Sequence, residues 1–220
     1  MKRTQLVIFD CDGVLVDSEP IACRTFTEAL REIGLEVTQE ETFDKFVGYS
    51  MKHCMELVET MLGRSAPENF VAELQSRTFA RFKAELKAMP GIEQALDELD
   101  KSEIPFCVAS SGDHQKMRTT LGITGLLPRF EAKMFSVTQV ARGKPAPDVY
   151  LFAAEQMAAE PSRCVVVEDT PPGVKAGVAA GMRVLGFCAH TPREKLETAG
   201  AHGVFDNMRR LAQVLLLLRV

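Results

Sequence analysis

The sequence predicts a doubly wound α/β fold, a parallel sheet with helices on both faces, interrupted by an all-helical insert. Three observations predict it. Short, continuous apolar runs recur at Leu6–Phe9, 104–109, 164–167 and Arg183–Phe187. Continuous apolar runs, rather than alternating ones, belong to strands buried on both faces, and helical patterns between them belong to parallel crossovers. By contrast, residues 18–86 show helical periodicity and no buried strand.

Taken in order, the first run ends at Asp10, with Asp12 and Gly13 directly behind it. Ile21, Phe26, Ala29, Leu30 and Ile33 mark a helix stopped at Gly34. Met51, Met55, Leu57, Val58 and Leu62 mark a second, stopped at Gly63. Phe70, Leu74, Phe79, Phe82 and Leu86 mark a third, opened by Pro67 in its first turn. Met89-Pro90-Gly91 punctuates the return to α/β alternation. These boundaries divide the chain into an α/β core of residues 1–17 and 87–220 and a helical insert of residues 18–86, which would stand over the aspartates as a lid. The run 104–109 ends at Ser110-Ser111-Gly112, and 164–167 ends at Glu168-Asp169. Gly173, Gly177 and Gly181 recur every four residues around Lys175, a pattern of close helix–sheet packing. The apolar run 215–218 is expected to be the buried face of a terminal helix.

The 220 residues are 46% hydrophobic, enough for a substantial core. A net charge of −4 carries no basic footprint, which argues against a nucleic-acid partner. The N-terminal apolar stretch is too short for a signal peptide, and no run approaches the roughly 20 residues that span a bilayer. The six cysteines lack C-x-x-C or zinc spacing, and Cys107 and Cys164 fall inside apolar runs. A cytoplasmic protein without a membrane partner is the expectation. His53, His114, His190 and His202 are scattered, without ligand spacing, and no phosphate-binding glycine motif occurs.

Four polar clusters stand where strands end: Asp10/Asp12, Ser110/Ser111, Lys144 and Glu168/Asp169. In open α/β sheets ligands bind at those ends, near the switch point. If a turn begins between Asp10 and Asp12, which Gly13 makes cheap, both carboxylates serve one site. Asp10 then attacks phosphorus, and Asp12 protonates the leaving oxygen and later deprotonates water. A calcium loop fails on spacing, because the sixth and twelfth residues from Asp10 are Leu15 and Ile21 rather than glycine and glutamate. Glu168-Asp169 with Asp10 suits Mg²⁺, although Asp169 or Thr170 equally suits the cap of a helix opening at Pro171-Pro172. Lys144, oriented by Pro145, suits neutralisation of a phosphoryl group. Ser110, Ser111 and Gly112 offer a hydroxyl and backbone N–H groups to phosphate oxygens, or a helix cap, or both.

With these clusters, nearly the whole chain resembles the haloacid dehalogenase-like (HAD) hydrolases. Residues 10–18, Asp-Cys-Asp-Gly-Val-Leu-Val-Asp-Ser, are similar to that family's first motif. Ser110 matches the second, Lys144 the third and Glu168-Asp169 the fourth. The insert resembles the small helical cap of the subgroup that holds phosphoglycolate phosphatases, β-phosphoglucomutases and sugar-phosphate phosphatases. The resemblance implies a Rossmann-like core and Asp10 as nucleophile with Asp12 as acid and base. It also implies Mg²⁺ held by Asp10, the Asp12 backbone carbonyl and Asp169, with Glu168 supporting. Dehalogenases lack the second aspartate, so Asp12 argues for phosphate chemistry. Relative to the mutases, Ala22 stands at a histidine position, Met51 near an arginine position and Asp113 at a lysine position, which favours transfer to water. The loop Gly48-Tyr49-Ser50-Met51-Lys52 is expected to face the substrate, with Lys52 as a binding residue. A sugar phosphate, a phosphogluconate-like acid or phosphoglycolate fits as the small phosphorylated partner. A β-phosphoglucomutase-type mutase and a receiver-like phosphorylation switch are the competing readings.

Overall fold

A strand covered on both faces must bury every side chain, and Leu6, Val7, Ile8 and Phe9 are all buried completely or nearly so. The structure, a computed structural model, describes residues 4–217. In chain order the elements are β1 (Leu6–Phe9), α1 (Glu19–Glu32), α2 (Gln39–Phe46), α3 (Met51–Leu62), α4 (Phe70–Glu85), α5 (Ile92–Lys101), β2 (Phe106–Ser110), α6 (His114–Ile123), α7 (Leu127–Phe130), β3 (Met134–Ser136), α8 (Asp148–Gln156), β4 (Cys164–Glu168), α9 (Pro171–Ala179), β5 (Arg183–Phe187), α10 (Arg193–Thr198), β6 (Gly203–Phe205) and α11 (Leu211–Leu217). Among the described residues six strands form one sheet in the order β3-β2-β1-β4-β5-β6, and every pairing is parallel.

Strand alternation splits the core into two layers. Val7, Phe9, Val108, Val165 and Val167 face α5, α6, α7 and α11. Leu6, Ile8, Cys107, Ala109 and Val166 face α8, α9 and α10. Each valine, leucine, isoleucine or phenylalanine among them contributes about 1.5–3 kcal/mol by leaving water. The chain passes from β1 to β2 and β3 on one side, then resumes with β4 on the other. The C-terminal ends of β1 and β4 therefore flank the switch point, where the sheet opens a crevice.

Helices α1 to α4 bury a third cluster of their own, with Phe26, Leu30, Phe46, Val58 and Leu74 at its centre. Two adjacent segments join them to the sheet. Val16 bridges Ala88, Asp17 N donates to Lys87 O at 3.0 Å, and Met89 N donates to Leu15 O at 2.9 Å. Phe82, Leu86 and Ile21 join the sheet's own core, so the feet of α1 and α4 are anchored there.

Several details depart from the sequence-based expectation. The second strand begins at Phe106 rather than residue 104 and takes in Ser110. Two three-residue strands, β3 and β6, have no strong apolar signal, because edge strands this short pair on one side only. Helix α2 is mainly polar, and its start is marked instead by a capping box of Thr38 and Glu41. Pro67 lies ahead of α4, whose N-cap is Asn69. In the terminal run Leu215 is buried but Leu216 and Leu217 are exposed, and Leu218 lies outside the described residues. Of the three spaced glycines, Gly173 and Gly177 meet neighbours closely, whereas Gly181 is a left-handed turn in open space. Among the described residues no helix is long and apolar enough to cross a membrane.

A Cβ on Gly177 would come within 2.6 Å of Val184 Cγ2 and 3.4 Å of Val166 Cβ. We expect Gly177→Ala to cost about 1–3 kcal/mol by overpacking α9 against the sheet. Urea unfolding should show a lower midpoint with an unchanged slope; an unchanged midpoint would refute the close packing.

Candidate active site

Asp10 follows β1 directly, and its backbone N–H still donates to Val167 O of β4 at 3.0 Å. The turn expected between Asp10 and Asp12 is present. Gly13 adopts φ +73°, and the N–H groups of Leu15 and Val16 return to Cys11 O. That turn places Asp10 and Asp12 on one cavity wall instead of on opposite faces of the sheet.

Lys144 projects from the loop before α8 into this wall, and its side chain is almost fully buried. The Lys144–Pro145 peptide bond is cis. The ammonium donates to Asp10 Oδ1 at 2.5 Å, Glu168 Oε1 at 2.8 Å and Ala109 O at 3.2 Å. It also lies 4.7 Å from the centre of the Tyr150 ring. Burial alone would push this ammonium's pKa down, but the Asp10 and Glu168 carboxylates outweigh that and hold it well above the usual lysine range.

Glu168, at the end of β4, has both oxygens engaged. Oε1 accepts from Lys144 and from Tyr150 Oη at 3.0 Å. Oε2 accepts from Thr170 N at 2.8 Å and Thr170 Oγ1 at 3.0 Å. Those four donors make Glu168 an anchor for Lys144 and leave it little capacity for a metal. Gly173 permits this arrangement, because a Cβ there would overlap the Glu168 carboxylate.

Asp169 differs. Thr170, not Asp169, caps α9, accepting from Gly173 N at 3.3 Å. Both Asp169 carboxylate oxygens are buried without a hydrogen-bond partner among the described residues. Burial first, then the Glu168, Glu19 and Asp10 carboxylates, push the Asp169 pKa well above the usual range. Gly13 leaves room for it, since a Cβ on Gly13 would overlap Asp169 Oδ2. An unpartnered buried carboxylate beside further carboxylates is what a cation would satisfy. Among the described residues no three carboxylate, histidine or cysteine side chains stand close enough to chelate a metal by themselves. Mg²⁺ asks for less, since one or two carboxylates suffice when waters and substrate oxygens complete the shell. The pair Asp10 and Asp169 fits that demand.

Asp12 is paired on both oxygens. Ser18 Oγ donates to Oδ1 at 2.7 Å and Lys116 Nζ donates to Oδ2 at 2.8 Å. Burial raises its pKa, but Lys116 and the two hydrogen bonds outweigh that, and the carboxyl is held below the usual range. Asp10 goes the other way, to about 7, through burial and the neighbouring Glu168 and Asp12 charges, against the pull of Lys144. Ser110, buried at the end of β2, accepts from Gly112 N at 3.0 Å, and Asp113 rather than Ser110 or Ser111 caps α6.

The structure therefore brings Asp10, Asp12, Ser110, Ser111, Gly112, Lys144 and Glu168 to one cavity, with Asp169 directly beneath Gly13. Lys52 is not brought there: it is exposed on the first turn of α3, and Met51 lines the cavity instead. Three participants escape sequence reasoning. Glu19 has the look of an ordinary acidic first-turn residue, yet it is buried on the cavity wall, and burial and Asp12 raise its pKa to about 8. Lys116 has the look of a solvated helix lysine, and Tyr150 of a core aromatic. The lysine absent at Asp113 thus has a counterpart three residues on, aimed at Asp12.

Comparison with known proteins identifies the family. The family model described as haloacid dehalogenase-like hydrolase matches residues 4–181. The chain is 34% identical over 190 residues to the 6-phosphogluconate phosphatase of Escherichia coli (strain K12), covering 86% of this chain and 85% of that protein. It is 35% identical over 196 residues to hexitol phosphatase A of the same organism, covering 87% of each. A crystal structure of a conserved haloacid dehalogenase-like protein from Agrobacterium tumefaciens str. C58 superposes with a TM-score of 0.84 at 34% identity, covering 97% of this chain and 98% of that one. The chain belongs to the haloacid dehalogenase-like hydrolases, and the curated relatives it stands beside are phosphoric monoester hydrolases.

Proposed function

We propose that this enzyme is a Mg²⁺-dependent phosphatase that hydrolyses a small sugar phosphate through an aspartyl phosphate on Asp10, with residues 18–86 acting as a cap over the core formed by 1–17 and 87–220. The observation that carries the reading is the Asp10 carboxylate lining the cavity, with Lys144 on one oxygen and the unpartnered Asp169 carboxylate within its electrostatic reach. The two curated relatives described above, named for a sugar acid and a hexitol, support a phosphorylated sugar as the substrate class.

In the first step an Asp10 oxygen attacks phosphorus, the bond from phosphorus to the ester oxygen breaks, and Asp12 gives the departing oxygen a proton. In the second, Asp12 takes a proton from water, which attacks the same phosphorus and frees Asp10 and phosphate. Asp12 enters the first step protonated and leaves it as the carboxylate, which Lys116 and Ser18 stabilise and which the water step protonates again. The Ser110 hydroxyl, fixed by the Gly112 N–H, and the Ser111 N–H receive the phosphoryl oxygens, and the Lys144 ammonium beside Asp10 balances their charge. Asp10 and Asp169 would hold Mg²⁺ with the Asp12 carbonyl, and the ion supplies Lewis-acid stabilisation of phosphoryl charge. Glu168 supports the site through its grip on Lys144.

Ala22, Met51 and Asp113 line the cavity, and two of these positions lack the polar groups expected of a mutase. Lys116 restores a cation near Asp12 and is the observation that favours the mutase reading. Bisphosphate-dependent isomerisation of β-glucose 1-phosphate exceeding phosphate release would establish that alternative.

Asp10→Asn should abolish phosphate release while circular dichroism and melting stay native-like. Full turnover in that variant would remove Asp10 from the chemistry. Asp12→Asn should slow hydrolysis of an alkyl phosphate by about 10²–10⁴-fold, with a smaller loss on an aryl phosphate whose leaving group needs no proton. Equal losses on both would argue against the acid role.

A pH signature follows from the excess of carboxylates. Asp10 rises from 3.8 to about 7 and Glu19 from 4.5 to about 8 on folding. Both bind protons more tightly folded than unfolded. Their contribution to metal-free stability is therefore full below about pH 4 and is lost as pH rises through about 7 to 8. A bound divalent cation replaces those protons, so Mg²⁺ should raise the melting temperature more at pH 8 than at pH 5 in a thermal-shift titration. A shift no larger at pH 8 would speak against cation binding at these carboxylates.

A further inference from the structure

The cavity has a volume of about 470 Å³ and two dissimilar ends. Its floor, at the C-terminal edge of the sheet, carries the carboxylates, Ser110 and both lysines that line it. Its roof comes from α1, α3 and α4, where Phe26, Met51, Leu74 and Phe79 supply apolar surface and Gln75 and Thr78 supply neutral polar groups. Among the described residues the lining holds no cation apart from Lys116 and Lys144, and each of these is committed to a floor carboxylate. Nearby cations of the helical segment are occupied elsewhere or turned outward. Arg81 pairs with Glu28, Arg24 with Glu85, and Lys52 is exposed. Glu19 and Asp113 add further carboxylates to the walls.

An anion brought against that roof would lose water and gain no counter-charge, which is unfavourable unless it is paired. A neutral polyol or sugar meets the opposite conditions. Its hydroxyls find Gln75 and Thr78, and its C–H faces lie on apolar side chains, as small-molecule sites usually provide. We infer that the substrate carries its phosphoryl group as the sole anion and that the leaving group is an uncharged sugar or polyol, phospho-acids and bisphosphates being rejected by the uncompensated roof. This inference rests on the phosphatase reading and narrows it, removing the phosphogluconate-like acids and phosphoglycolate from the substrates that the sequence leaves open.

The test compares sorbitol 6-phosphate with 6-phosphogluconate, equal in carbon number and differing by a terminal hydroxymethyl against a carboxylate. With Mg²⁺ present, kcat/KM should favour the neutral ester by tenfold or more, and Met51→Arg should shift that ratio toward the acid by tenfold or more. Equal values, or preference for the acid in the unaltered enzyme, overturn the inference. A binding arm separates it from the chemistry: Asp10→Asn, titrated calorimetrically with the same two esters and Mg²⁺, should bind the neutral one at least tenfold more tightly. If the unaltered enzyme hydrolyses neither ester while that binding preference holds, the phosphatase reading falls and the neutral-substrate inference stands. Hydrolysis with the acid preferred does the reverse, keeping the phosphatase reading and overturning the inference. Binding of neither ester by Asp10→Asn also overturns the inference.

Discussion

Five carboxylates, Asp10, Asp12, Glu19, Glu168 and Asp169, converge on the C-terminal edge of the sheet, and two ammonium groups, Lys116 and Lys144, are set against them. Lys144 is the member on which the others depend. Buried and bonded to Asp10, Glu168 and a strand carbonyl, it ties the ends of β1, β2 and β4 together. A charge so deeply buried persists only because it is paired, and Asp10 and Glu168 provide the pairing. The carboxyl groups outnumber the ammonium groups, and burial with mutual repulsion makes Asp10, Glu19 and Asp169 hold their protons more tightly. On the function proposed above, a divalent cation would replace those protons and bring an anionic phosphoryl group to the floor.

The packing around this cluster serves its charge geometry. Gly13 and Gly173 lack side chains where Asp169 and Glu168 need the space. Thr170 takes over the helix cap and so releases Asp169 from hydrogen bonding, while its N–H and hydroxyl fix Glu168. Two adjacent carboxylates at one strand end thereby acquire different surroundings, one fully hydrogen-bonded and one buried without a partner among the described residues. The division arises from which neighbour supplies donors, since the two side chains are chemically almost the same.

Floor and roof of the cavity differ in a comparable way. The floor is highly charged and built from strand ends, whose positions the parallel ladder holds rigidly. The roof is neutral and built on helices that carry their own core, joined to the sheet by two short segments at residues 15–17 and 87–89. On the proposed reading, phosphoryl chemistry falls to the rigid part and discrimination among leaving groups to the part that is tethered.

The sequence by itself determined the strands β1, β2, β4 and β5, because doubly covered strands write continuous apolar runs, and it determined Asp10, Asp12, Ser110, Lys144 and Glu168-Asp169 as strand-end groups. It also marked α1, α3 and α4 through their periodicity and the glycines that stop them. Short edge strands and the polar helix α2 bury too little to leave such a pattern. Only the tertiary structure decided the rest. Lys116 stands 104 positions from Asp12 and is an ordinary helical lysine until α6 carries it to the β1 loop. Glu19 and Tyr150 become site residues solely because α1 and α8 turn them inward, and Lys52 fails to become one because α3 turns it out. Local patterns record what a residue does for its own strand or helix. Which charges meet is settled by long-range packing, and the meeting of Asp10, Lys144 and Asp169 is of that kind.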